Sequence, residues 1–332
     1  MPKKSKNQKK VSFESKPTGN FSLGERLYGF WEMMRPMEWS KSLLNMSIAL
    51  LMAFYVYNVP TSLGIFVAGF FSVALLWSGL YTLNDFTDWK IDLLHATKKK
   101  RPIPSGRVTP MQALTFSVIL ILISFFIAFL LNNALLVGCL LVMLLNQWLY
   151  TSRPFRFKER KGLDMISGSM INPIFRYLAG LFLFVTLAET LTSAFPVLPV
   201  LIVLFFQSGG YALYRLSSKG HDKKVNMKST AASLPQKLIK KASHWVIAFG
   251  FIGVLFLFIN NITFQNPWVG YVPLYFLAGM IPIIFAIPTM RGVLRTPAKA
   301  TAPSTYSKVY CVMHATTTAV TIVFLAIHFV LH

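Results

Sequence analysis

The sequence predicts an all-α polytopic membrane protein, a bundle of about nine transmembrane helices with its N-terminus in the cytoplasm. Three observations point there. Nine apolar stretches approach the roughly 20 residues that a helix needs to cross a bilayer, with cores near 42–59, 63–84, 110–131, 134–151, 165–187, 197–214, 243–260, 269–290 and 309–331. Charge is sparse: 13% of the 332 residues are charged and 54% are hydrophobic, about half the charge of a soluble domain of that length. The positive charges also fall on alternate connections. With the N-terminus inside, 32 of the 33 Lys and Arg residues lie in cytoplasmic segments, the outer loops hold none, and Arg176 lies within the fifth span. That distribution explains a net charge of +22 without nucleic acid.

Residues 1–20 carry six lysines against one glutamate and read as a disordered tail drawn to an anionic membrane surface. The transmembrane domain is expected over 21–332. Its first segment, 21–36, puts Leu23, Leu27, Phe30, Trp31 and Met34 on one helical face, with Glu25, Arg26 and Glu32 away from it. This pattern suits an amphipathic helix lying in the interface. The basic N-terminus has no apolar run with a small-residue cleavage site, so no cleavable signal peptide is expected. Cys139 and Cys311 both fall in apolar segments without metal-ligand spacing and read as packing residues. Asn132-Asn133 is the whole connection between spans three and four, a tight helical hairpin.

The chemistry concentrates where span two ends. The stretch 84–107 holds Asp85, Asp88 and Asp92, three of the chain's five aspartates. Their three-then-four spacing places them on one face if the helix continues. Crowded carboxylates prefer a cation between them. Lys98, Lys99, Lys100, Arg101 and Arg107 follow at once. Carboxylates for a metal beside cations for an anion is what a Mg²⁺-bound diphosphate needs, because Mg²⁺ takes one or two carboxylates, some waters and substrate phosphates. A basic cytoplasmic loop would explain the lysines but not three aspartates on one face.

The loop 151–164 (T-S-R-P-F-R-F-K-E-R-K-G-L-D) reads equally as a positive-inside turn or a functional one. In span five, positions 169, 172 and 176 share a face. Asn172 and Arg176 are expected to face a polar cavity, with Pro173 loosening the helix there. Arg176 has two readings, a phosphate ligand or an ion-pair partner for one of the aspartates. The loop after span six holds Arg215, Lys219, His221, Asp222, Lys223 and Lys224, with Tyr214 next to Arg215 and Tyr211 one turn earlier. It suits direct capture of an anion. A lone loop histidine such as His221 is more often solvated than metal-bound. The last cytoplasmic loop, 291–308, offers orientation only.

Asn84-Asp85-x-x-Asp88-x-x-x-Asp92 followed by Arg101-Pro102-x-Pro104-Ser105-Gly106-Arg107 resembles the first signature of the UbiA superfamily of intramembrane prenyltransferases. The resemblance implies a Mg²⁺-dependent transferase. It would move a prenyl group from a polyprenyl diphosphate to a lipid acceptor and release pyrophosphate. It implies catalytic roles for Asp85, Asp88, Asp92 and Arg101, with the three aspartates holding the metal. Asn84, Lys98, Arg107, Asn172, Arg176, Tyr211, Arg215 and Lys219 would bind substrate. The superfamily's second aspartate-rich motif is reduced here. If Asp222 matches its last acid, Arg215 and Ser218 stand where the other two would be, and Asp222 remains a further candidate ligand. The cationic replacement argues for an anionic acceptor. Arg35-Pro36-x-x-Trp39-x-Lys41, Asp92-x-x-His95-x-x-Lys98-x-x-Arg101-Pro102, Leu163-Asp164 and Arg176-x-x-Ala179-Gly180 are similar to the branch that joins phosphoribosyl diphosphate to a polyprenyl phosphate, which stands as the alternative. A transporter and an inactive prenyl-lipid-binding scaffold are further readings. No two-halved repeat favours transport, and polarity gathers at the cytoplasmic helix ends.

Overall fold

The computed structural model describes residues 20–93, 97–224, 227–296, 299 and 302–331. The basic tail up to residue 19 and His95 lie outside the described residues. Among the described residues the chain is helical, with no strand.

Helix α1 (Leu23–Met34) starts at a capping box between Ser22 and Glu25 and ends at Arg35, whose φ of 50° turns the chain sharply. Leu23, Leu27, Tyr28 and Trp31 stay exposed along it. A short 3₁₀ turn, Pro36–Glu38, leads into α2 (Trp39–Tyr55). Next come α3 (Leu63–Asp92), α4 (Pro110–Leu130) and α5 (Ala134–Thr151). The predicted hairpin between α4 and α5 is built by Asn132 at φ 47° and by Asn133, whose side chain accepts from Leu136 N. A 3₁₀ turn, Phe157–Glu159, precedes α6 (Leu163–Ile166), a π turn (Ser167–Ile171) and α7 (Asn172–Leu181). The rest is α8 (Leu187–Thr192), α9 (Val197–Ser217), α10 (Lys219–Lys224), α11 (Thr230–Ser233) and α12 (Gln236–Thr263), then a 3₁₀ helix (Leu274–Ala286), α13 (Ile287–Arg295) and α14 (Pro303–Leu331).

Seven of these runs are long and apolar enough to cross a bilayer: α3, α4, α5, α9, α12, Leu274–Arg295 and a stretch within α14. The other two predicted spans correspond to α2, 17 residues long, and to the α6–α7 run broken by its π turn. Both are central. Met46 of α2 and Ala179 of α7 belong to one apolar cluster, shared with α3 and α5. Ala49 of α2 with Tyr177 and Leu181 of α7 belong to a second, shared with α9, α12, Leu274–Ala286 and α14. Gly180 lets α2 and α7 meet backbone to backbone, since a Cβ there would sit 2.7 Å from Met46 Cα. The predicted eighth span is 3₁₀ rather than α up to Ala286, with Pro282 inside it. Outward-facing Leu122, Phe126 and Phe129 of α4 are exposed, as lipid-facing side chains are. The chain is an integral multi-pass membrane protein.

Candidate active site

Helix α3 positions the site by its length. Its 30 residues reach about 45 Å, against a hydrocarbon core of about 30 Å. The last turns therefore project beyond the apolar layer, and they carry Asn84, Asp85, Asp88 and Asp92.

Each aspartate meets cations from other elements. Asp85 accepts from Arg35 Nη2 at 2.6 Å and Arg101 Nη1 at 3.0 Å. Asp92 accepts from the same Arg101 Nη1 at 2.8 Å and lies 3.8 Å from Lys98 Nζ. Asp88 takes Lys158 Nζ at 2.6 and 2.8 Å and Arg156 Nη2 at 3.3 Å. Asn84 Oδ1 accepts from Thr151 Oγ1 at 3.0 Å and from Lys158 Nζ at 3.2 Å. Three carboxylates thus face five cations. The excess of positive charge suits an anionic ligand.

Local backbone aims these cations. The left-handed Arg35 carries its guanidinium over the Tyr81 ring, 4.9 Å from the centroid, toward Asp85. The turn 101–108, closed by Ser105 N to Arg101 O and Val108 N to Pro102 O, presents Arg101. Arg156, at φ 41°, starts the turn that presents Lys158. Burial pushes the Lys158 ammonium below its usual range, and Asp88 only partly offsets this. Burial works against charge on Arg101, but Asp85 and Asp92, with a smaller push from Tyr214, together outweigh it and the guanidinium is held above its ordinary value. At the start of α2, burial would raise Glu38; Lys41 and Arg35 overcome this and hold it at about 2.

The donor set fits Mg²⁺ in one respect. The Nη1 of Arg101 stands between Asp85 and Asp92, so a cation already occupies the point where two hard carboxylate oxygens converge. A third carboxylate does not join them. Among the described residues no three His, Cys, Asp or Glu side chains gather as a metal site, because Asp88 is turned to Lys158. One or two carboxylates with phosphate and water complete a Mg²⁺ shell.

Other predicted residues are placed differently. Arg107 bonds to Glu32 at 2.7 Å, to Ser105 and to the Lys100 carbonyl, and to none of the three aspartates. Lys219 donates to the Leu234 carbonyl at 2.6 Å. Asn172 is engaged within the bundle: Asn146 Nδ2 donates to Asn172 Oδ1 and to Ser167 O, satisfying a carbonyl near the π turn. Tyr211 and Tyr150 share a hydroxyl–hydroxyl bond of 2.6 Å. Tyr214 lies within electrostatic reach of Lys98, Arg101, Arg35 and Arg215, which brings the end of α9 to the same mouth. Arg176 pairs with no aspartate, contrary to one of its two readings. It stacks 3.9 Å over Trp77.

Arg215 and Asp222 pair at 2.7 Å, and Arg215 Nε lies 3.9 Å from Asp164. Asp222 also accepts from Ser229 at 2.7 Å, and Asp164 accepts from Thr230 N at 2.9 Å and from Thr230 Oγ1. The side chain of His221 lies outside what is described. Sequence reasoning passed over Arg35, Arg156, Lys158, Thr151 and Asp164 as site members. The basic turn after span four was the local signal for Thr151, Arg156 and Lys158, while Arg35 and Asp164 stood in the motifs similar to the phosphoribosyl-transferring branch.

Fold and site together define a class: a helical membrane bundle whose longest acidic helix opens into a cationic mouth. The UbiA prenyltransferase family profile matches residues 45–330, and the chain belongs to that family. Two curated relatives are Protoheme IX farnesyltransferase 2 of Shewanella sp. W3-18-1, 32% identical over 35% of this chain and 37% of its own length, and digeranylgeranylglyceryl phosphate synthase of Methanothrix thermoacetophila, 35% identical over 41% of this chain and 46% of its own. The matched stretch thus spans less than half of either relative. A UbiA homologue of Archaeoglobus fulgidus, bound to GPP and Mg²⁺, superposes over 89% of this chain and 99% of its own with a TM-score of 0.66 at 17% identity, a likeness of fold.

Proposed function

We propose that the protein is a membrane-embedded, Mg²⁺-dependent prenyltransferase. It moves a prenyl group from a polyprenyl diphosphate to an anionic acceptor, with its active site facing the cytoplasm. The observation that carries this reading is the α3 terminus, where Asp85, Asp88 and Asp92 are ringed by Arg35, Lys98, Arg101, Arg156 and Lys158. The names of the relatives support it: one a farnesyltransferase, one a synthase of a prenylated glyceryl phosphate, and a structural neighbour bound to GPP and Mg²⁺. The orientation rests on the placement of 32 of 33 basic residues.

Asp85 and Asp92, with Asp88 adjacent, would hold Mg²⁺, which supplies charge neutralisation to the departing pyrophosphate. Arg101, Lys98 and Lys158 hold the remaining phosphate oxygens. The carbon–oxygen bond to the diphosphate breaks with its electron pair on the leaving group. The acceptor heteroatom forms the new bond to that carbon and releases its proton. The apolar bundle excludes water from the cationic carbon.

A second reading, phosphoribosyl transfer to a polyprenyl phosphate, is favoured by the engagement of the 35–41 motif with α3. Arg35 binds Asp85 and Trp39 donates to Ser78 at 2.9 Å, while Lys41 pairs with Glu38 within the motif at 2.8 Å. One experiment separates the two. Purified protein with Mg²⁺ and mixed lipid acceptors receives geranylgeranyl diphosphate or phosphoribosyl diphosphate, with pyrophosphate release measured and products identified by mass spectrometry. Turnover of the prenyl donor supports the first reading and turnover of the ribosyl donor the second. Release from neither leaves a binding scaffold or transporter.

A further inference from the structure

Arg176 differs from the other interior cations. Arg35, Lys41, Arg101, Arg156, Lys158 and Arg215 each have a carboxylate partner. Arg176 is 3% exposed, and its Nε is buried without a hydrogen-bond partner. Among the described residues it has no carboxylate, only the Trp77 ring. An arginine inside a membrane bundle without a counter-charge costs more than one cation–π contact returns. The shortfall calls for an anion that the chain does not supply.

The surroundings fix where that anion sits. Tyr81, one turn along α3 from Trp77, hydrogen-bonds Glu38 and lies within electrostatic reach of Lys41 and Arg176. Glu38 already serves Lys41 at 2.8 Å and Arg35 at 3.6 Å, so Arg176 is the charge left over. The diphosphate mouth begins at Asp85, eight residues and about 12 Å further along α3 from Trp77.

We propose that Arg176, with Tyr81 beside it, seats a phosphate-type oxyanion carried by the acceptor lipid, separate from the seat of the donor diphosphate. The proposal rests on the transferase reading and adds the acceptor's chemistry. A guanidinium fork matches a phosphate group bidentately. Charge makes the seat selective. An unneutralised guanidinium within the same bundle repels a carbon turning cationic and slows its formation. A neutral acceptor leaves that repulsion in place, whereas an anionic one removes it.

Binding to the purified protein in nanodiscs tests the seat. The probes are dodecyl phosphate, dodecanol, inorganic phosphate and Mg²⁺–geranyl diphosphate, read by calorimetry. The wild type is expected to bind dodecyl phosphate at least tenfold tighter than dodecanol or inorganic phosphate. R176M is expected to lose that preference and R176K to keep part of it, while both bind Mg²⁺–geranyl diphosphate within about twofold of wild type. Equal binding of dodecyl phosphate and dodecanol by the wild type overturns the proposal, a result that needs no variant to fold. So does an R176M protein that keeps the preference. Inorganic phosphate binding as tightly as the alkyl ester assigns the seat to a free ion, and the acceptor reading falls. If D88N keeps its affinity for Mg²⁺–geranyl diphosphate, it is the donor-site reading that fails, and the dodecyl phosphate arm still decides the Arg176 seat.

Discussion

Two acidic clusters stand near the same end of the bundle, and they are built for different work. At the end of α3, Asp85, Asp88 and Asp92 are held by the ends of long side chains, the partly exposed Arg35, Lys98 and Arg101 and the buried Lys158. Each contact is an ion pair that a ligand of the right charge can replace. The acids of the second cluster, Asp164 and Asp222, are as buried as Asp85 and Asp92, and the difference lies in their partners. These acids are bound by Thr230, by Ser229 and by Arg215. They tie α6, α9, α10 and α11 together. The first cluster is an exchangeable ion store; the second is a clasp.

The sharpest way to break this contrast is a double dissociation. D88N is expected to lower turnover by roughly 10³-fold, since it removes a carboxylate from the charge seat of the leaving group, while the thermal midpoint moves little. D164A is expected to do the reverse. Leaving Thr230 without its buried acceptor, and Arg215 with Asp222 alone, costs about 3 kcal/mol, seen as a lower thermal midpoint in detergent, with turnover per folded molecule largely kept. If D164A abolishes turnover in protein that stays folded, the second cluster is catalytic and the contrast fails.

The two clusters were unequally legible in the sequence. Asp85, Asp88 and Asp92 share a face because α3 runs unbroken to Asp92, and helical spacing alone expresses that. Their partners Arg156 and Lys158 come from a loop some 70 residues later, and no local pattern encodes which way that turn folds. Asp222 stood alone in its loop, whereas Asp164 reaches the same arginine from a separate loop. Arg107 and Lys219 show the converse: a basic residue in a loop announces charge but not direction. One turns to Glu32 and the other caps a carbonyl. Span five was legible as polar and weakened at Pro173, but the π turn that breaks it lies one step earlier, at Ser167–Ile171.

Within the first cluster, Arg101 bridges two carboxylates, so its loss should be felt in chemistry more than in folding. R101M is expected to lower kcat by roughly 10²-fold, with R101K recovering part of it. Steady-state kinetics on both variants check this. A fall confined to KM would make Arg101 a binding residue and not a stabiliser of the departing charge.

Glu38 tests where the ion store shades into structure, because it pairs with Arg35, which in turn holds Asp85. Burial opposes its charge, yet Lys41 and Arg35 hold its carboxyl down at about 2, against an ordinary value of 4.5. A carboxyl depressed by folding adds stability that is fully present above 4.5 and fades as pH falls toward about 2, because the unfolded chain takes up the proton first. Thermal midpoints of the wild type between pH 5 and pH 2 should therefore fall, and E38Q should fall less steeply by one proton's share while starting lower at neutral pH. Parallel slopes for the two proteins would mean that Glu38 takes up its proton at the same pH in the folded and unfolded chain. Lys41 and Arg35 would then not be holding its carboxyl down.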